Sequence, residues 1–138
     1  MQQKIKQKRL LIALCSYKDI HFLNESLPEL CKLQSESDAD FVVLDNANDK
    51  NVQNFIAEKF PQIIYVASQK NLGYGAAYNY IMSQFNDYDY TLVVTSDVLI
   101  DSNCVLYVLS QMQNEKDLTM CAGKLHSWDF KNKQKTIC

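Results

Sequence analysis

Apolar residues follow two alternating patterns along the chain. Leu10 to Cys15, Phe41 to Leu44, Ile63 to Val66 and Leu92 to Val94 are short, nearly continuous runs rich in Val, Ile and Leu. Runs of that length without polar alternation suit strands buried on both faces, as in a parallel sheet covered by helices. Leu118 to Ala122 is read as a fifth strand. Between the runs, apolar positions recur three and four apart: Ile20, Leu23, Leu27, Leu30 and Cys31, then Val52, Phe55, Ile56 and Phe60, then Val105, Val108, Leu109 and Met112. Each set predicts an amphipathic helix, and Ala77, Ile81 and Phe85 predict another over Ala76 to Phe85. Pro28 has no amide to bond Asn24, so the first helix is expected to kink near Asn24 or to begin later than its stripe. Asp49 and Asp101 precede helical patterns as candidate N-caps. Strand and helix thus alternate about four times before a closing strand, which predicts an α/β fold with a mostly parallel, doubly wound sheet and helices on both faces.

Composition narrows the partners more than the fold. A chain of 138 residues, 47% hydrophobic and 22% charged, is expected to form a single domain over 1–138, burying about 70% of its unfolded surface. Residues 127–138 are read as a loose tail or the start of a further segment. The balance of 14 Lys+Arg against 16 Asp+Glu offers no basic footprint, so nucleic acid is excluded as a main partner. Five scattered Cys without a C-x-x-C pair read as reduced thiols in a cytoplasmic protein. Lys4, Lys6, Lys8 and Arg9 before Leu10 imitate a signal peptide, yet the apolar run stops at Ser16-Tyr17-Lys18-Asp19 and Leu14 is too large for a cleavage site. No stretch has the length of a membrane span.

In an open parallel sheet ligands bind beyond the carboxyl ends of the strands, and the residues there are polar. They are Ser16-Tyr17-Lys18, Asp45-Asn46-Ala47-Asn48-Asp49, Ser68 to Gly75 and Thr95-Ser96-Asp97. The set suits a nucleotide. Tyr17 offers a flat face, Asp45 an acceptor for a base N–H or a ribose hydroxyl, and Asp97 a hard oxygen for a divalent cation. Gly73-Tyr74-Gly75 opens a helix and presents free amides to an anion. Tyr78 breaks the G-x-G-x-x-G pattern, which disfavours a dinucleotide-binding dehydrogenase. Asp87-Tyr88-Asp89 precedes the fourth strand and reads as a surface turn on the opposite rim. His21, beside the first helical stripe, reads as a boundary residue and not a ligand, and His126 has no partner that would make it a base.

In order, Cys15-Ser16-Tyr17-Lys18, Leu44 to Asp49, Asn71 to Asn79, Thr95-Ser96-Asp97-Val98 and Ala122 to Leu125 resemble the family 2 glycosyltransferases of GT-A fold. The spelling is similar to the rhamnosyltransferase-like branch, where the blocks read T-Y-N, V-D-N-x-S-x-D, N-x-G-F-x-x-G-x-N-x-G and N-P-D-V. The resemblance covers about residues 10 to 125. It implies that Ser16 and Tyr17 border the base, that Asp45 contacts uracil or thymine and its ribose, and that Asn71, Gly73 and Asn79 close over the nucleotide. Asp97 matches the last acid of the D-x-D element that holds Mg²⁺ or Mn²⁺, with Thr95 in the place of the first and Ser96 between them. Lys18 departs from the Asn of T-Y-N, while Ala77 and Ile81 replace two glycines and are expected to narrow the space above the nucleotide.

The implied reaction transfers a sugar with inversion from a UDP- or dTDP-sugar to a hydroxyl of a glycan or lipid-linked acceptor, in polysaccharide assembly. The implied place is the cytoplasm or the inner face of the membrane, with a possible homo-oligomer. The family's acceptor half and catalytic base lie beyond its fifth strand. Glu115, Asp117 and Asp129 are not matched to that base, so the chain is expected to be the donor-binding part of a longer enzyme. The alternative is a catalytically inactive module of the same fold that binds a nucleotide or a protein.

Overall fold

A computed structural model describes residues 9–129 and 134–135. The elements run β1 (Leu10–Ser16), α1 (Ile20–Ser37), β2 (Asp40–Asp45), α2 (Lys50–Lys59), β3 (Ile64–Ala67), α3 (Tyr74–Gln84), β4 (Tyr90–Thr95), α4 (Ser102–Asn114), β5 (Trp128–Asp129) and β6 (Gln134–Lys135). The four apolar runs form one sheet of order β3-β2-β1-β4, in which every neighbouring pair is parallel.

The register explains why β1 and β2 lack polar alternation. Ala13 stands level with Val42 and Val93, so residues two apart share a face. On one face Leu11, Ala13, Val42 and Leu44 pack with Ala77, Tyr78 and Ile81 of α3. On the other, Leu10, Ile12, Leu14, Phe41 and Val43 are buried, and α1 lies against both strands with Leu23, Leu27, Leu30 and Leu33 turned inward. Burial of each such large side chain contributes about 1.5–3 kcal/mol, so these two layers hold the strand ends in fixed positions.

α1 begins at Ile20 and continues through Pro28. Pro28 and Asn24 are both exposed, on the side of the helix where water can serve a carbonyl without an amide partner, and the helix does not start late. Asp49 caps α2 by accepting the Asn51 amide at 2.8 Å. The expected fifth strand at Leu118 to Ala122 does not form. The Leu118 amide closes a turn on the Glu115 carbonyl, and Met120 is 83% exposed, so the burial that favours a strand is missing. β5 and β6 instead pair with each other, antiparallel.

The chain divides into two compact units after Ser102. β1 to β4 and α1 to α3 belong to the first, the β5–β6 pair to the second. The basic residues before Arg9, and most of the expected tail over 127–138, lie outside the described residues. Among the described residues no helix is long and apolar enough to cross a membrane.

Candidate functional site

The sheet order fixes where a crevice opens. From β1 the chain moves to β2 and β3 on one side, then returns through α3 to β4 on the other side. Connections that leave two adjacent strands in opposite directions part above them, at the topological switch point. An open cleft of about 370 Å³ lies there. Cys15, Tyr17, Asp19 and Phe22 line it from the end of β1 and the start of α1, Thr95, Ser96 and Asp97 from the end of β4, and Asn46, Asn71, Gly73 and Tyr74 from the loops behind and the start of α3.

Buried polar groups shape these walls. Asp45 is completely buried. Its Oδ1 accepts the Ala47 amide at 2.9 Å, and its Oδ2 accepts the Asp49 amide at 2.6 Å and the Tyr65 hydroxyl at 2.8 Å. Burial and this bond to a carboxylate push the Tyr65 phenol well above its ordinary range. Asn46 does the same for the next loop, donating from Nδ2 to Asn71 Oδ1 at 2.9 Å and accepting the Leu72 amide at 2.8 Å. Asn71 Oδ1 in turn accepts the Gly73 amide at 2.8 Å. Gly73 has φ 77°, and a Cβ built there meets nothing within 4 Å. The backbone turn into α3, and not crowding, therefore calls for glycine.

Tyr78 adds two side-chain bonds between neighbouring strands. Its hydroxyl donates to the Val94 carbonyl at 2.6 Å and accepts the Cys15 amide at 3.2 Å, so a single buried phenol, its pKa raised by that burial, bridges β1 and β4 below the cleft. Burial first, then the nearby Asp19 and Asp45 carboxylates, pushes the Cys15 thiol up to about 11. It stays protonated at neutral pH and is no nucleophile. Lys18 has φ 55°, a left-handed conformation that Asn tolerates better than Lys. Its ammonium lies 5.4 Å from the centre of the Tyr17 ring.

Of the residues expected at the site, Tyr17, Asn71, Gly73, Thr95, Ser96 and Asp97 line the cleft. Ser16 and Asp45 are fully buried behind its wall, and Asn79 is exposed on α3 outside the lining. Ala77 and Ile81 do not narrow the space above the cleft. Both side chains are buried against β1 and β2, where they add to the core. Asn46 and Tyr74, from the polar segments expected at this rim, also line the cleft, whereas Asp19 and Phe22 were not among the expected contacts. The polar run Ser16 to Asp19 signals the loop, but its partners come from segments far along the chain.

Among the described residues no three potential His, Cys, Asp or Glu ligands gather into a metal site. The exposed Asp97 carboxylate beside Thr95 still fits a hard divalent cation that takes one carboxylate and fills its remaining positions with water and phosphate oxygens. Asp19 also faces the cleft, but its two oxygens already accept the Ser16 hydroxyl, at 2.5 Å, and the Ser96 hydroxyl.

The family model for glycosyl transferase family 2 matches residues 11–138. None of the curated proteins matches. Among solved structures, a mannosyltransferase from Pyrobaculum calidifontis in complex with GDP-Man and Mn²⁺, PcManGT, superposes with a TM-score of 0.66 at 16% identity, over 78% of this chain and 33% of that one. S. aureus TarS gives 0.64 at 17% identity, over 77% of this chain and 20% of that one. Its 1–349 fragment in complex with UDP-GlcNAc gives 0.61 at 22% identity, over 77% and 31%. The chain therefore spans between a fifth and a third of the length of these structures.

Proposed function

The chain belongs to glycosyl transferase family 2 and has the GT-A fold, and on that premise we propose that its cleft binds the nucleotide diphosphate-sugar donor of a glycosyltransferase. The observation that carries this reading is the position of the cleft. It opens at the switch point between β1 and β4, and the side chains around it are those an activated sugar needs. Tyr17 offers its ring to the base, Thr95 and Ser96 border the ribose, and Asn71 with Gly73 holds the loop that covers the nucleotide. Ser16 and Asp45 act from behind, by fixing the loops. Asn79, on the exposed side of α3, is left to contacts beyond the cleft. The structural neighbours solved with UDP-GlcNAc and with GDP-Man and Mn²⁺ support the donor class, and the motif spelling favours a UDP- or dTDP-sugar and the rhamnosyltransferase-like branch.

Asp97 would hold Mg²⁺ or Mn²⁺ against the donor. Such a cation neutralises the diphosphate and stabilises it as a leaving group. Inverting transfer to a glycan or lipid-linked hydroxyl also requires a general base on the acceptor. The carboxylates lining the cleft are Asp19 and Asp97, one bound to two hydroxyls and the other assigned to the cation. That favours a second reading, in which this chain binds the donor and transfers nothing by itself. Surface polysaccharide assembly at the cytoplasmic side of a membrane is the setting both readings fit.

Thermal unfolding with UDP, dTDP and GDP, each with and without Mn²⁺, tests the donor site. Nucleotide at 100 times its Kd should add about 2.7 kcal/mol. The expected result is a shift that needs both nucleotide and Mn²⁺ and disappears in Asp97→Ala, whose own melting changes little because the side chain is exposed. A cooperative melt that no nucleotide shifts sinks the reading. Hydrolysis or transfer of a bound UDP-sugar by this chain alone would decide against the non-catalytic reading.

A further inference from the structure

Asp19 stands at the N-cap position of α1, yet its side chain accepts no hydrogen bond from the helix. The carboxylate turns the other way. Oδ1 takes the Ser16 hydroxyl at the end of β1, and Oδ2 takes the Ser96 hydroxyl just past the end of β4, 77 residues along the chain. Both serines are buried, while Asp19 lines the cleft. The last pair in the β1–β4 ladder is Cys15 with Thr95, so beyond it the two strand ends have no ladder bond to hold them level. A carboxylate receiving two hydroxyls makes charge-assisted bonds, about twice as strong as neutral ones, at the point where the ladder has run out.

We propose that Asp19 is a positioning residue of the donor site: by tying Ser16 to Ser96 it holds the Thr95-Ser96-Asp97 turn in place, and so sets how well Asp97 binds the divalent cation. This rests on the donor-site reading above. Ser96 adjoins Asp97 directly, so release of its hydroxyl frees the backbone that carries the cation ligand. The negative charge of Asp19 also lines the cleft that would receive a diphosphate, which disfavours the nucleotide without a cation and favours it with one. The helix forgoes a side-chain cap to make this arrangement, a local cost that helix formation alone does not explain.

The test is uptake of Mn²⁺ in the presence of UDP, read from the loss of the free-ion electron paramagnetic resonance signal, alongside a thermal melt of each variant. Asp19→Ala and Ser96→Ala are each expected to weaken Mn²⁺ binding about tenfold, as loss of a group that orients a ligand does, and the double variant to be no weaker than Asp19→Ala. Ser96→Thr, which keeps the hydroxyl that Asp19 accepts, should recover Mn²⁺ affinity relative to Ser96→Ala. If variants melt lower but take up Mn²⁺ with unchanged affinity, the link is merely structural and the proposal fails. A loss in Asp19→Ala with none in Ser96→Ala would make Asp19 a direct ligand and overturn it equally. If Asp19→Ala does not fold, Ser96→Ala against Ser96→Thr decides alone. No UDP-dependent Mn²⁺ uptake by the unaltered chain, by contrast, removes the donor-site reading itself and this inference with it.

Discussion

The two ends of β2 each carry an aspartate, and the two are used in opposite ways. Asp40, at the amino end, is 42% exposed and meets the Arg9 guanidinium at 2.6 Å. The Tyr88 hydroxyl donates to the same carboxylate at 2.5 Å, Arg9 lies 4.4 Å over the Tyr88 ring, and Asp87 and Asp89 complete the group through Arg9. Here the charges are paired with each other at the surface, and the turn of Asp87-Tyr88-Asp89 closes that rim. Asp45, at the carboxyl end, is buried and spends its charge on two amides and a phenol. That rim is left open above, with Asp19 and Asp97 facing one cleft. An exposed ion pair adds little because water solvates its members nearly as well, whereas a buried carboxylate must be fully bonded or it unfolds its surroundings. The lesson is that polar residues at the carboxyl rim build a rigid wall, and those at the amino rim merely seal an edge.

The sharpest way to break this contrast is to neutralise each aspartate in turn. Asp45→Asn places an amide against the donors of Ala47, Asp49 and Tyr65 and is expected to lose about 3 kcal/mol in urea unfolding. Asp40→Asn should fall within the error of the same measurement. Equal losses would show the two rims to be alike. Tyr78→Phe comes next. It strips the Val94 carbonyl and the Cys15 amide of their shared partner and should cost about 2 kcal/mol, with weaker nucleotide binding because β1 and β4 part beneath the cleft.

Alkaline pH weakens the carboxyl rim. The Cys15 thiol ionises near its ordinary 9.0 in the unfolded chain and near 11 when folded, so the unfolded state gives up its proton first. Stability is therefore whole below pH 9 and falls as pH rises towards 11, and Tyr65 and Tyr78, also raised, extend the fall above 10. Denaturant melts below pH 9 and near pH 11 should show the loss in this chain and less of it in Cys15→Ser. The smallest effect is a gain. Lys18→Asn relieves a left-handed residue and should stabilise by about 0.5 kcal/mol, read as a slightly higher melting temperature with the cleft intact.

Much of the fold was legible in the chain itself. Unbroken apolar runs at 10–15 and 41–44 could only be satisfied by burial on both faces, and stripes such as Leu23, Leu27 and Leu30 matched one side of a helix. Those patterns are local, so they survive without knowledge of the partners. Asp49 as a cap was local in the same sense. Leu118 to Ala122 had the composition of a strand but not its surroundings, and composition alone cannot supply a neighbour to pair with.

The site divides along the same line. The order of residues along the chain is enough to say which polar loops follow the strands, and a parallel sheet then puts all of them on one rim. What each residue does there depends on its neighbours in the folded chain. Asp45 and Ser16 turned inward because their loops needed acceptors and donors more than the cleft did. Ala77 and Ile81 turned to the sheet because α3 presents them to Leu11, Ala13 and Val42. Asp19 gained its place from Ser96, which no spacing along the chain connects to it. Hydrophobic periodicity is written residue by residue, whereas the direction of a hydrogen bond is settled only when two distant segments meet.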